Sequence, residues 1–144
     1  MDAAQQRRYI SEKLNDFKYK RINPVFDACI YCGETARVWD HVPPISIADG
    51  YNGMFFKVPS CRSCNAYLFH KPFFALSVRK EHIRQRLFRK TDLYIPIWEV
   101  DELDSIKGWV NKYIKYGLNN QRILKRRILY ITATMGEEFT DYLA

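Results

Sequence analysis

Two short stretches, CIYCG at residues 29–33 and CRSCN at residues 61–65, contain all four cysteines of this 144-residue chain. In each stretch two residues separate the two cysteines, which is the spacing of paired ligands in a tetrahedral zinc site. The alternatives are four unrelated buried thiols or a redox pair, but neither pair has a thioredoxin-like sequence context. The spacing therefore predicts one structural Zn²⁺ held by Cys29, Cys32, Cys61 and Cys64.

The overall composition is that of a globular protein with a polyanionic partner. The chain has 23 Lys and Arg against 16 Asp and Glu, which gives a net charge of +7. A surplus of this size favours nucleic acid as the partner, with an acidic membrane surface as a weaker candidate. No apolar run is long enough to cross a bilayer, and the first residues do not resemble a signal sequence. We therefore expect a cytoplasmic protein that does not enter a membrane.

Hydrophobic spacing divides the chain into three regions of a single α+β domain, residues 1–24, 25–75 and 76–144. The first region is predicted to form an amphipathic helix. The second carries the cysteines and is predicted to contain strands at 37–42 and 55–58, followed by a short helix that begins at Cys61. The third region is predicted to be mostly helical.

The C-terminal region is predicted to contain three helices. A helix over 77–90 is followed by an extended segment over 91–100. A second helix begins at Asp104 and is broken at 117–119, and a third covers 120–134. The apolar stripes of these helices would serve a homodimer as well as packing within one chain.

Between the two cysteine pairs, residues 38–44 read VWDHVPP and place Asp40 beside His41 on a predicted strand. Asn65 directly follows Cys64, so a zinc ion clamping both cysteine pairs would bring Asp40, His41 and Asn65 together. A neutral imidazole can activate water, and carboxylate and amide oxygens are ligands that Mg²⁺ or Mn²⁺ accepts. Neighbouring strand residues point to opposite faces, so we expect the strand end to be distorted. An isolated Asp-His pair would more simply be a surface pair or a core histidine; its place between the cysteine pairs favours catalysis.

Taken together, C-x-x-C-G, D-H-x-x-P and C-x-x-C-N over residues 29–71 resemble the zinc-stapled HNH endonucleases, also called ββα-metal or His-Me finger nucleases. Within that group the pattern is most similar to phage junction-resolving endonucleases. The resemblance implies a zinc-stapled ββα-metal unit that hydrolyses phosphodiester bonds in DNA, in a bacterial or phage-infected cytoplasm. It also implies that His41 is the general base and that Asp40 and Asn65 hold a catalytic Mg²⁺ or Mn²⁺.

One position departs from the family pattern. The family carries an Asn a few residues before the second cysteine pair, where this chain reads FFKVPS, and Asn52 is the nearest candidate. In the family, that residue helps to orient the base. Because this chain has no Asn at that position, the role is unassigned here, and a backbone carbonyl could orient His41 instead. The departure leaves open a catalytically inactive, zinc-stabilised module that binds nucleic acid. A protein-interaction adaptor is a further alternative.

Basic residues cluster in two of the predicted helices, within residues 79–90 and 119–133. Either cluster would also suit a helix face that is merely solvated. Beside a nuclease-like motif we interpret them as phosphate contacts, without distinguishing DNA from RNA. The candidate nucleic-acid-binding residues in these clusters are Arg79, Arg84, Arg122, Lys125, Arg126 and Arg127. Two further candidates, Arg62 and Lys71, flank the short helix that begins at the second cysteine pair.

Overall fold

The structure, a computed structural model, describes residues 2–9, 18–22, 27–69, 71–91 and 109–143. This part of the chain has the predicted α+β composition, with a three-stranded sheet and four helices. The strands are β1 (Tyr19–Arg21), β2 (Val38–Val42) and β3 (Phe55–Ser60). The helices are α1 (residues 3–9), α2 (Arg62–Tyr67), α3 (Leu76–Thr91) and α4 (Trp109–Ala133), and short 3-10 helices cover Ile45–Ile47 and Phe139–Tyr142.

The sheet has the strand order β1-β3-β2. β2 runs antiparallel to β3, with Val38 opposite Ser60 and Val42 opposite Phe56. β1 runs parallel to β3, with Tyr19 opposite Phe55. Central β3 is buried at nearly every position because it has a neighbour on each side, and it leads directly into Cys61 and α2. The segment from β2 to α2 is therefore an antiparallel strand pair followed by a short helix.

The N-terminal region is helical over residues 3–9, as predicted, but the predicted helix cannot extend through Tyr19–Arg21. These residues form β1 instead, because their backbone pairs with β3 and the Tyr19 ring packs edge-on against Phe55 at a centroid distance of 5.2 Å. Helical spacing did not reveal this strand because its partner lies more than thirty residues further along the chain. Residues 10–17 lie outside the described part.

The predicted break at residues 117–119 is wrong, since α4 continues from Trp109 to Ala133. Glycine inside a helix costs about 1 kcal/mol relative to alanine. Packing of the helix against α3 and the core offsets a cost of that size, with Ile131 fully buried and Leu124 and Ile128 packed against the core. The predicted helix start at Asp104 and nearly all of the predicted extended segment lie outside the described residues.

A single main core joins the sheet, the cysteine segments, α3 and α4. Leu76, Ile83 and Leu87 recur at helical spacing on α3 and are fully buried. The helix is one residue longer at each end than the predicted range of 77–90. All four cysteines belong to this core. Among the described helices, none combines the length and the apolar character needed to span a membrane.

Candidate metal centre and adjoining cleft

The four cysteine side chains converge in the core. Their Sγ atoms all lie within 4.8 Å of one another, all four residues are buried, and none forms a disulfide. The Sγ atoms of Cys32 and Cys61 are 3.7 Å apart. A tetrahedral Zn²⁺ with Zn–S bonds of about 2.3 Å holds its thiolates about 3.8 Å apart, so the donor set fits zinc.

The first cysteine pair lies in a tight turn. The backbone N–H of Gly33 donates to the carbonyl of Cys29 at 3.0 Å, and Ala28 and Thr35 form an isolated bridge that closes the turn. Gly33 has a φ of 78°, a conformation that residues with a side chain rarely adopt. A Cβ atom at this position would lie 2.7 Å from the ring of Tyr130 on α4. Glycine therefore permits both the turn and the close approach of α4.

The second cysteine pair begins α2. Cys61 is the N-cap residue, and its Sγ accepts a hydrogen bond from the backbone N–H of Cys64 at 3.4 Å. Hydrogen bonds from the neighbouring thiols, that of Cys29 first, lower the pKa of Cys61, whereas burial raises the pKa of Cys64. Four thiols packed this closely cannot all ionise without a cation among them, and zinc is a cation that binds thiolates.

Arg127 on α4 contacts the cysteine cluster directly. Its Nη2 atom lies 3.2 Å from the Sγ of Cys64 and 3.1 Å from the Oγ of Ser63. The residue is only 7% exposed. The prediction that Arg127 binds nucleic acid is therefore corrected: its charge faces the thiols in the interior and not the solvent.

A cleft of about 380 Å³ adjoins the cysteine cluster and brings the three predicted catalytic residues together. Its lining comes from α1, β2, the segment after β2, and α2 with the residues that follow it. The lining residues are Arg7, Arg8, Trp39, Asp40, His41, Pro44, Ile45, Ser46, Asn65, Leu68 and Phe69.

The position of β2 explains how adjacent Asp40 and His41 reach one cleft. The expected distortion of the strand is absent, since every residue of β2 pairs in regular register with β3. β2 is an edge strand, however, and a cleft along a free edge is accessible to side chains from both faces of the sheet. The position of β2 at the edge of the sheet, and not a distortion of the strand, therefore allows both Asp40 and His41 to line the cleft.

Asp40 is buried and already has two hydrogen-bond donors. Its Oδ2 accepts a hydrogen bond from Nη1 of Arg79 at 2.8 Å and another from the hydroxyl of Tyr31. Burial raises the pKa of the Asp40 carboxyl, and the charge of Arg79 opposes that shift. Arg79 is fully buried, so the prediction that it binds nucleic acid is also corrected.

His41 is half-buried beside Tyr19. The two rings meet edge to face at a centroid distance of 4.8 Å, and the Tyr19 hydroxyl donates to the carbonyl of Pro43 at 2.7 Å. Burial, and then the charge of Lys57, lower the pKa of His41 to about 4. The imidazole is therefore neutral at neutral pH.

Asn65 is fixed by the turn that contains the second cysteine pair. Its backbone N–H donates to the carbonyl of Cys61 at 3.1 Å, which places the residue in the first turn of α2. The side chain is half-buried and lines the cleft. Asn52 lines a different cleft, of about 390 Å³, together with Lys18 and Lys20, so it does not supply the residue that the family pattern lacks.

The other predicted phosphate contacts lie outside the cleft. Arg84 pairs with Glu81 at 2.8 Å, and Arg126 forms a two-pronged pair with Glu34 at 2.8 and 3.0 Å. The remaining candidates, Arg62, Lys71, Arg122 and Lys125, are exposed. None of the eight lines the cleft among the residues that the structure describes.

Sequence reasoning missed two residues of the cleft, Arg7 and Arg8 of α1. The signal was present as two adjacent arginines in a predicted amphipathic helix. Nothing in the sequence indicated that this helix lies beside β2 and α2, because that arrangement is tertiary.

Comparisons with protein-family models, curated proteins and solved structures found no match. The function must therefore be inferred from the residues of the cleft and the cysteine cluster.

Proposed function

We propose that this protein is a metal-dependent endonuclease that hydrolyses phosphodiester bonds in DNA, built on a zinc-stapled ββα-metal unit. The observation that supports this most directly is the single cleft lined by Asp40, His41 and Asn65 beside the four-cysteine cluster. Phosphodiester hydrolysis needs an activated water and a cation near the phosphate. A neutral imidazole and two hard oxygen donors in one cleft can meet both needs.

His41 is the general base in this proposal. Its imidazole is neutral at neutral pH and can accept a proton from water. Because its pKa is lowered to about 4, protonation of His41 does not limit the reaction between pH 6 and 8. Tyr19 packs against the ring and holds its orientation from the sheet side.

Asp40 and Asn65 are the candidate ligands of Mg²⁺ or Mn²⁺. Arg79 and Tyr31 both donate to Oδ2 of Asp40, and the side chain is 10% exposed and lines the cleft, which places this carboxylate where it could contribute to binding a cation. The amide oxygen of Asn65 is a second hard donor, and water and phosphate oxygens complete the coordination of such ions. When bound, the ion would neutralise charge that develops on the phosphate.

A second candidate function is a zinc-stabilised module that binds nucleic acid without cutting it. The observation that favours it is the ion pair between Arg79 and Asp40, with 2.8 Å between Nη1 and Oδ2. A positive charge this close offsets the carboxylate charge that a divalent cation requires. In this alternative the cleft binds the strand, and the activated water and the cation have no role.

A plasmid-nicking assay with Mg²⁺ or Mn²⁺ tests the proposal. His41→Ala should lower the cleavage rate by about 10²–10⁴-fold, because it removes the proton acceptor. His82→Ala is the matched control, since His82 contacts the carbonyl of Tyr67 outside the cleft and its loss should leave the rate close to that of the parent. Added Mn²⁺ should partly restore Asn65→Ala but not His41→Ala.

Two outcomes contradict the proposal in different ways. A parent protein that binds DNA but cleaves nothing with either ion supports the binding module. If the parent and His41→Ala cleave equally well, His41 is not the general base and this cleft is not the active site.

A further inference from the structure

Arg7 and Arg8 bring two positive charges to the cleft from α1. Both side chains are exposed, and the Nε of Arg7 donates a hydrogen bond to the carbonyl of Ala3 in its own helix, at 3.3 Å. Within the described residues, no carboxylate forms an ion pair with either guanidinium. Within that part of the chain, the two charges are therefore not neutralised by an acidic side chain.

The rest of the cleft does not neutralise them. Asp40 is the only carboxylate among the described residues that line the cleft, and it is paired with Arg79. His41, Ser46 and Asn65 add no negative charge. The described lining of the cleft thus has a surplus of two positive charges, which suits an anion and, because guanidinium groups are planar, a phosphate in particular.

Exposed rings lie in the same cleft as the cations. Trp39 is 39% exposed and Phe69 is 64% exposed, and both line the cleft with Arg7 and Arg8. Aromatic faces beside cations are the combination with which proteins hold the bases and phosphates of a single nucleic-acid strand.

We infer that α1 is a substrate-binding element, in which Arg7 and Arg8 bind the phosphodiester backbone of a strand in the cleft while Trp39 and Phe69 contact its nucleotides. This inference rests on the proposed function in taking the ligand to be nucleic acid, but it does not require that the protein cleaves it. It makes Arg7 and Arg8 binding residues of the cleft, in addition to Asp40, His41 and Asn65.

The test is the affinity of the zinc-loaded 144-residue protein for a fluorescein-labelled single-stranded DNA oligonucleotide, without added divalent ion and at several salt concentrations. Arg7→Gln/Arg8→Gln should raise the Kd about 10-fold or more at low salt. The slope of log Kd against log salt should fall by about 1.4, because two phosphate contacts are lost at about 0.7 each.

Two further variants separate local contacts from net charge. Arg37→Gln/Lys115→Gln removes the same charge from exposed positions that do not line the cleft and should change the Kd by less than about twofold at moderate salt, because exposed charges that make no contact with the strand are largely screened. Phe69→Ser should weaken binding but leave the salt slope unchanged, because a ring contact releases no counterions.

Arg7→Lys/Arg8→Lys preserves the charge and should keep most of the salt slope, and thermal unfolding of each variant checks that the fold is intact. Unchanged affinity and slope in Arg7→Gln/Arg8→Gln would overturn the inference, even if the parent cleaves DNA. So would an equal loss in the Arg37→Gln/Lys115→Gln control. If the parent protein never cleaves DNA but Arg7→Gln/Arg8→Gln clearly lowers the salt slope relative to the parent, the inference is supported and the nuclease proposal is rejected.

Discussion

Asp40 illustrates at the scale of one residue how a buried charge is kept. Its carboxylate lies in the interior with Arg79 and Tyr31 donating to the same oxygen, and Arg79 is itself fully buried. The free energy of such a pair is dominated by desolvation, so either charge left without the other is far costlier than the pair. Arg79 therefore contributes to the folding of β2 against α3, and through it to the placement of Asp40.

Replacing Arg79 with Met should lower the free energy of unfolding by about 3–5 kcal/mol, the usual cost of stranding one partner of a buried ion pair. Urea-induced unfolding of the zinc-loaded protein, followed by circular dichroism, measures this loss. Combining Asp40→Asn with Arg79→Met should recover part of it, because the stranded charge is then removed.

Arg84→Met provides the matched control on the same helix. Arg84 pairs with Glu81 one turn away, and both side chains are partly exposed, so its loss should cost less than about 1 kcal/mol. Equal losses from the two variants would mean that the ion pair with Asp40 contributes nothing particular to stability.

The sequence predicted the proximity of Asp40, His41 and Asn65 because the cysteine pairs limit how far apart these residues can lie. It did not predict the partners of the buried arginines, because those partners are distant along the chain. Arg79 is 39 residues from Asp40, and Arg127 is 63 residues from Cys64. A basic residue on a helix gives no local sign of whether it meets solvent or a buried acceptor, and both of these were therefore assigned to the surface.

At the scale of elements, α4 and the first cysteine turn depend on each other. The turn requires Gly33 at a φ of 78°, and the Tyr130 ring covers the space where a side chain would begin. Tyr130 belongs to the last turns of α4, which runs from Trp109 to Ala133. The sequence predicted a break of this helix at 117–119, because local helix preference was weighed there without the packing that outweighs it.

Gly33→Ala should destabilise the protein by at least about 1–2 kcal/mol, the cost of a left-handed backbone for a residue with a Cβ. Contact of the new methyl with Tyr130 should add to this loss. Thermal and urea unfolding measure the total loss. Gly33→Ala should cost less stability when it is introduced into Tyr130→Ala than when it is introduced into the parent, because the ring that meets the new methyl is then absent.

Gly117→Ala is the opposite case and serves as the control. A glycine inside a continuous helix is less favourable than alanine by about 1 kcal/mol, so this substitution should stabilise the protein by up to that amount. Destabilisation by Gly117→Ala would indicate that the helix is broken there after all.

At the scale of the whole molecule, the cysteine cluster connects elements that are distant in the sequence. The first pair lies in the turn before β2, the second joins β3 to α2, and Arg127 of α4 donates to the thiols. All four cysteines are part of the main core together with residues of the sheet, α3 and α4. The apolar residues of α4 that pack in this core serve the single chain, so a homodimer through α4 would have to use exposed residues such as Tyr116 and Leu129.

Loss of the metal should therefore unfold the whole domain and not only the cysteine segments. Structural zinc contributes about 10–16 kcal/mol of apparent binding free energy, which matches or exceeds the typical stability of a domain, about 5–15 kcal/mol. Purified protein should contain one zinc per chain by elemental analysis, and Cys29→Ser should lose both the metal and the cooperative unfolding transition. Arg127→Met keeps all four ligands, so it should retain the zinc but bind it about 10–100-fold more weakly in competition with a chelator. A folded parent that contains no metal, or a Cys29→Ser variant that unfolds at the temperature of the parent, would show that the four buried thiols pack as an ordinary core.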